Sequence, residues 1–222
     1  HELVTETTAG FKNYELDKAT RPITDFIDDV SVWYLRRSRD RFKADDAEDK
    51  KHALATLRHV LQTLSLVMAP SMPFYAEYLW GKVKAESDPL SVHLANWPHV
   101  QTADAQLLRT MAEVRKIVSV ALEQRTKAGI KVRQPLSKLS IKTPVVLRKE
   151  GYIELILDEV NVKEVSEGDP VVNQLGEEYY LNETSYPEPE VTLDLTITPE
   201  LKAEGDVRDL IRQIQDLRKQ EG

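Results

Sequence analysis

The residues with the most chemical potential lie in one run, Trp33-Tyr34-Leu35-Arg36-Arg37-Ser38-Arg39-Asp40-Arg41-Phe42. On a helix, Arg37 and Arg41 stand one turn apart, and Trp33 stands one turn before Arg37. A guanidinium offers a planar fork of donors that suits phosphate oxygens, and a ring beside it can take the face of a base. Binding of a polyanion is the chemistry this cluster supports. The pattern is as compatible with Trp33 in a core and the arginines paired to Asp25, Asp28, Asp29 and Asp40. A second basic run, residues 124–149, holds Arg125, Lys127, Lys131, Arg133, Lys138, Lys142, Arg148 and Lys149 and no acid. Residues 1–149 carry a net charge of +6 and residues 150–222 a net of −13, within a total of −7. A polyanion would meet the two basic stretches and avoid the acidic last third.

Other chemistries find no support. The chain has no cysteine, which removes disulfides, thiolate metal sites and cysteine nucleophiles and fits a reducing, cytoplasmic setting. Its eight glycines never fall in a phosphate-cradling pattern. His52 and His59 sit two turns apart on one expected helix, and none of the five histidines has a partner at metal-ligand spacing. No catalytic residue and no metal site is expected. No apolar stretch approaches 18 residues, and residues 1–10 lack a signal-peptide pattern, so no membrane association is expected.

The elements that must position the basic runs are mainly helical. Ile23, Ile27, Val30 and Trp33 or Tyr34 recur at helical spacing, which predicts a first helix over residues 18–41 with Pro22 near its start. Leu54, Leu57, Leu61, Leu64 and Met68 form one apolar stripe of a second helix, preceded by Asp45, Asp46, Glu48 and Asp49, whose charge suits a helix N-terminus. Pro70 and Pro73 separate it from a third helix over residues 72–84, with Ser71 as cap. Residues 86–101 read as a loop. A fourth helix starts at Thr102, carries Leu107, Met111, Val114, Val118 and Leu122, and stops near Gly129. After Pro135 the period changes. Leu139 and Ile141 predict a strand, residues 153–160 a short helix, and residues 162–165 and 178–181 further strands. Val191, Leu193, Leu195 and Ile197 alternate as the strongest strand signal. Thr198-Pro199-Glu200 opens a last helix whose stripe is Val207, Leu210 or Ile211, Ile214 and Leu217. The expected fold is a four-helix bundle over residues 1–134 followed by a small α+β module over residues 135–222.

Residues 26–43 resemble the helix that opens the anticodon-binding domain of class I synthetases for branched aliphatic amino acids. Met68-Ala69-Pro70-Ser71-Met72-Pro73-Phe74 with Glu77, then Ser91-Val92-His93-Leu94 with Trp97-Pro98, resemble the junctions that follow in those enzymes. Lys131-Val132-Arg133-Gln134-Pro135-Leu136, Glu159-Val160-Asn161-Val162-Lys163 and Thr198-Pro199-Glu200-Leu201-Lys202-Ala203-Glu204-Gly205 are together similar to the isoleucyl-tRNA synthetase family. The blocks run in order over residues 14–222. The two ATP-site signatures of that family, His-Ile-Gly-His and Lys-Met-Ser-Lys-Ser, are absent.

The resemblance implies a mainly α anticodon-binding bundle and a following α+β module that bind tRNA-Ile, hold its anticodon stem and loop, and leave aminoacylation to catalytic and editing domains of a parent chain. ATP and magnesium would serve that parent, and no cofactor is expected here. Arg36, Arg37, Arg39 and Arg41 would contact phosphates, Lys127, Lys131 and Arg133 would extend the contacts, and Trp33 and Tyr34 are candidates for stacking on bases. Arg208, Arg212, Arg218 and Lys219 of the last helix could add an edge. A monomer is expected. The start at His1 favours a trimmed chain or a piece of a longer one. The alternatives are a valyl-tRNA synthetase fragment and a non-catalytic helical protein-interaction scaffold.

Overall fold

The computed structural model describes residues 1–100, 102–143, 151–168 and 188–221. By its internal contacts the chain divides into two compact units, His1–Ala103 and Asp104–Gly222. The boundary expected after residue 134 therefore falls inside the second unit. The expected strand at residues 178–181 and the bases Arg148 and Lys149 lie outside the described residues.

The first unit is wholly helical. It comprises α1 (Glu2–Lys12), α2 (Leu16–Asp29), a π-helical segment (Val30–Leu35), α3 (Arg36–Lys43), α4 (Ala47–Met68) and α5 (Pro73–Val83), with a 3-10 turn at Val92–Leu94. No helix was expected at α1, whose sequence has few apolar residues. Its buried face includes Thr7, which hides its hydroxyl by donating to the Leu3 carbonyl at 2.7 Å, and Gly10. A Cβ at Gly10 would lie 2.6 Å from the Ala19 backbone nitrogen, so glycine is what lets α1 and α2 approach.

Helix α2 starts at Leu16, earlier than expected, and Pro22 stands inside it rather than near its start. It runs without a break through the π segment into α3. Asp46 caps α4, accepting from the amides of Glu48 and Asp49 at 3.1 Å each. Helix α5 has no side-chain cap. Ser71, the expected one, instead donates to the Met68 carbonyl at 3.3 Å. The core gathers Leu3, Val4, Ile23, Leu64, Met68 and Trp80. Two polar locks hold the connections. Glu77 accepts from the Ser91 hydroxyl at 2.8 Å and the Val92 amide at 3.0 Å, and Trp97 Nε1 donates to Thr8 Oγ1 at 2.8 Å.

The second unit is α+β. Its elements are α6 (Ala105–Lys127), β1 (Leu136–Lys142), α7 (Tyr152–Val160), β2 (Val162–Glu167), β3 (Glu190–Leu193) and α8 (Pro199–Glu221). The cap of α6 is Asp104, whose carboxylate accepts from the Leu107 amide at 2.9 Å, not Thr102. The sheet order is β2-β1-β3, with β1 parallel to β2 (Leu136 opposite Val162) and antiparallel to β3 (Ile141 opposite Val191). Val114, Ile117 and Val118 of α6 are buried, as are Leu136, Leu139 and Ile141 of β1 and Ile156 and Val160 of α7. Gln124 of α6 acts as a further edge for β3, donating to the Val191 carbonyl at 2.7 Å and accepting from the Leu193 amide at 3.0 Å.

One expectation fails here for an identifiable reason. The strand stops at Leu193 because Asp194 turns the chain, taking a hydrogen bond from the Ser137 hydroxyl at 2.7 Å and from the Thr196 amide at 2.9 Å. Leu195 and Ile197 are left exposed. Helix α8 starts at Pro199 as its sequence dictates. Its apolar stripe faces solvent, since Val207, Leu210, Ile211, Ile214 and Leu217 are each 44–59% exposed. The fold as a whole is mainly α, with a small α+β module after the helices.

Candidate nucleic-acid interface

The arginine cluster rides on a helix held from its opposite side. Tyr34 donates its hydroxyl to the Ala53 carbonyl of α4 at 2.9 Å, and Ser38, one turn on, is 4% exposed. These two residues face inward and turn the intervening side chains outward. Arg36, Arg37, Arg39 and Arg41 are all exposed. Trp33 is half-buried in the π segment, and Tyr34 spends its polar tip on packing. The π segment inserts one residue into the helical repeat, a feature frequent at functional sites. Nothing in the apolar spacing signals it.

The four arginines are not equivalent. Arg36 Nε donates to the Val32 carbonyl at 2.8 Å, one turn back on its own helix. Arg41 makes a two-pronged pair with Asp49 of α4, Nε to Oδ2 at 2.8 Å and Nη2 to Oδ1 at 2.6 Å. The hydrogen bond from Arg41, and then its charge, hold the Asp49 carboxyl below the ordinary carboxylate range, and the same bond raises Arg41. Asp49 was not among the acids expected to compete for these arginines, because it lies on the next helix. Arg39 is exposed and forms no ion pair among the described residues.

The second unit carries the other candidates. Lys127 pairs with Glu123 at 2.7 Å on the exposed face of α6. Arg133 pairs with Asp209 of α8. Lys131 is exposed and forms no ion pair among the described residues. Lys131 and Arg133 line an open cleft of about 770 Å³ together with Arg208 and Arg212 of α8 and Asp158 and Asn161. The sequence assigned Arg208 and Arg212 to a separate edge, and the fold brings them to Lys131.

Arg125 is one base of the 124–149 run that a polyanion does not meet. Its side chain is only 1% exposed. The guanidinium donates to the carbonyls of Lys131 at 3.2 Å, Gln134 at 2.8 Å and Asn161 at 2.8 Å. Burial pushes its pKa down to about 10. The loop it grips begins with Gly129 at φ +68°, a left-handed cap that a side chain would strain. Asn161, also left-handed, donates to the Val132 carbonyl at 2.8 Å and accepts from Arg208 at 2.7 Å. One buried cation thus sets the shape of the loop that presents Lys131 and Arg133.

Comparison with known proteins adds the family. A family model described as the anticodon-binding domain of tRNA ligase matches residues 1–141. An isoleucine–tRNA ligase of Dehalococcoides mccartyi is 36% identical over 233 aligned positions, which cover all of this chain and 23% of the relative. Isoleucine–tRNA ligases of Chlamydia trachomatis and Thermus thermophilus are 40% and 38% identical, each over 74% of this chain and 16% and 17% of the relative. The chain spans less than a quarter of the length of these relatives. No helix among the described residues is long and apolar enough to cross a membrane.

Proposed function

The chain belongs to the family of anticodon-binding domains of tRNA ligases, and from that premise we propose that it binds the anticodon stem and loop of tRNA-Ile. It holds the tRNA while the catalytic portion of an isoleucine–tRNA ligase charges the acceptor end in the cytoplasm. One observation carries this reading. Arg36, Arg37 and Arg39 stay outward on a helix whose inner face is fixed by Tyr34 and Ser38. Fixed guanidinium groups on a rigid helix set register on a phosphate backbone without reading sequence. Lys131 and its neighbours in the α8 cleft, with Lys127, add cationic contacts from the second unit. Arg41 meets a phosphate only in competition with Asp49, which holds its fork. Trp33 supplies a half-buried ring beside the arginines, and Tyr34 supports the helix through Ala53. In this reading the chain carries no catalytic residue and no cofactor, and ATP and magnesium serve the catalytic portion of the ligase.

The test is the double variant Arg37→Ala with Arg39→Ala, assayed by fluorescence anisotropy against tRNA-Ile and an unrelated tRNA. Both affinities should fall by a similar factor while helicity stays at the wild-type level. Wild-type affinity at low salt in the variant would refute the phosphate-binding role. A collapse of helicity would show that these arginines belong to the fold instead.

A further inference from the structure

Helix α5 presents a face that neither the core nor the arginine cluster uses. Phe74 is 91% exposed, Tyr75 56% and Tyr78 63%. Their spacing, together with that of Gly81 and Lys82, places all five on one side of the helix. The rings of Tyr75 and Tyr78 stand 6.4 Å apart at a 34° tilt, and Lys82 Nζ lies 5.3 Å from the centre of the Tyr78 ring. This side of the helix is cationic at its far end. Lys82 is the cation of this side, and Arg58 of α4 closes the end of the helix by donating to the Val83 and Lys84 carbonyls, both at 2.7 Å. The one acid of α5, Glu77, is turned to Ser91 and Val92.

Gly81 is the second observation. A glycine inside a helix costs roughly 0.5–1 kcal/mol against alanine. Here no internal contact requires it, since a Cβ at Gly81 would meet nothing within 4 Å. The bare backbone beside Tyr78 and Lys82 suits close approach from outside. Exposed rings, a flat step and a cation at the helix end are the features that bind unpaired bases and their phosphates, because every base has a stackable face.

We propose that the outer face of α5 is a stacking platform for unpaired RNA bases, with Phe74, Tyr75 and Tyr78 taking base faces, Gly81 admitting the ribose-phosphate chain, and Lys82 meeting a phosphate. It rests on the reading of this chain as a tRNA binder and adds a second contact, distinct from the arginine helix.

The experiment uses the whole chain and two probes. One is a tRNA-Ile transcript. The other is a single-stranded heptauridylate carrying a central 2-aminopurine, whose fluorescence falls on stacking. Two variants are compared with wild type, Phe74→Ala with Tyr78→Ala, and Gly81→Leu. Wild type should quench the 2-aminopurine, and each variant should lose roughly tenfold or more in affinity for the heptanucleotide. Gly81→Leu should do so with a melting temperature at or above that of wild type. Variants that bind within twofold of wild type overturn the platform and leave the face to a protein segment, as does a wild type that binds tRNA but not the heptanucleotide. If wild type binds neither probe at low salt, the tRNA reading itself falls, and the platform with it.

Discussion

Replacing Arg125 by methionine removes a cation that never reaches solvent, and the loss can be estimated. The guanidinium makes three hydrogen bonds to carbonyls, at 3.2, 2.8 and 2.8 Å. Bonds from a charged donor contribute about 1.5–3 kcal/mol each. Against them stands the burial that holds the pKa down to about 10, a cost on the order of 3 kcal/mol. Arg125→Met recovers that cost, leaves the Gln134 carbonyl without its donor and takes the second donor from the Lys131 and Asn161 carbonyls. The balance is a net destabilisation of about 3 kcal/mol. For a chain of this size that lowers the melting temperature by roughly 10 °C. Arg125→Lys keeps the charge but has no fork, so it should fall between the two. Circular dichroism during urea and thermal unfolding gives the stability. Hydrogen exchange should quicken at the amides of Gln134 and Leu136, which donate to the Lys131 and Asn161 carbonyls that Arg125 also engages. A methionine variant that loses less than about 0.5 kcal/mol, with unchanged exchange at both amides, would refute the reasoning, because surface substitutions commonly stay within that range.

The remaining predictions concern the candidate interface and the second unit. Asp49→Asn should leave the melting temperature close to that of wild type, since the Arg41 pair is exposed. It should tighten tRNA binding and steepen its salt dependence, because Arg41 loses its competitor, and isothermal titration at two salt concentrations reads both. The pH dependence of that pair has a fixed sign. The Asp49 carboxyl is depressed, so what it contributes is present above its unfolded pKa, near 4, and is lost as the pH falls through the lowered folded value. A carboxyl carbon NMR titration should place Asp49 below the ordinary aspartate value of about 4, and a midpoint at or above it would remove the pair. Gln124→Leu should release β3 by deleting both bonds to its backbone, with a loss of about 2 kcal/mol and faster exchange at Leu193.

The parts of this fold that the sequence discloses are those with one strong period. Helices α4 and α6 carry enough leucine, valine and isoleucine at helical spacing to be drawn from the letters alone. Helix α1 does not, because its packing face uses Thr7 and Gly10, and a threonine that buries its hydroxyl in the preceding turn leaves no apolar signal. The alternation from Val191 to Ile197 predicts a longer strand than exists, since period two does not reveal that Asp194 captures Ser137 and Thr196. The stripe of α8 is real as a pattern but is exposed in the chain described.

The candidate interface was legible to a different degree. The run from Trp33 to Phe42 identifies the helix and its arginines, and the short blocks identify the family, because several of them are locks within the fold. Glu77 with Ser91 and Val92 is one, and Asn161 with Val132 and Arg208 is another. Pairings across elements stayed hidden. Asp49 silences Arg41 from the next helix, and Arg125 looks like any other base in its run until three carbonyls are seen to converge on it. Burial of a charge is a tertiary property, and local spacing does not carry it.

The most direct test of the account is the salt dependence of wild-type binding to tRNA-Ile, measured by fluorescence anisotropy between about 50 and 200 mM salt. Measurable binding is expected at low salt, with a log–log slope negative by at least about two, set by the several phosphates that the arginine helix and the α8 cleft would neutralise. Removing Arg39 should reduce that slope by about one. No binding at about 50 mM, or binding with a flat slope, would contradict the claim that this domain holds tRNA through its exposed cations.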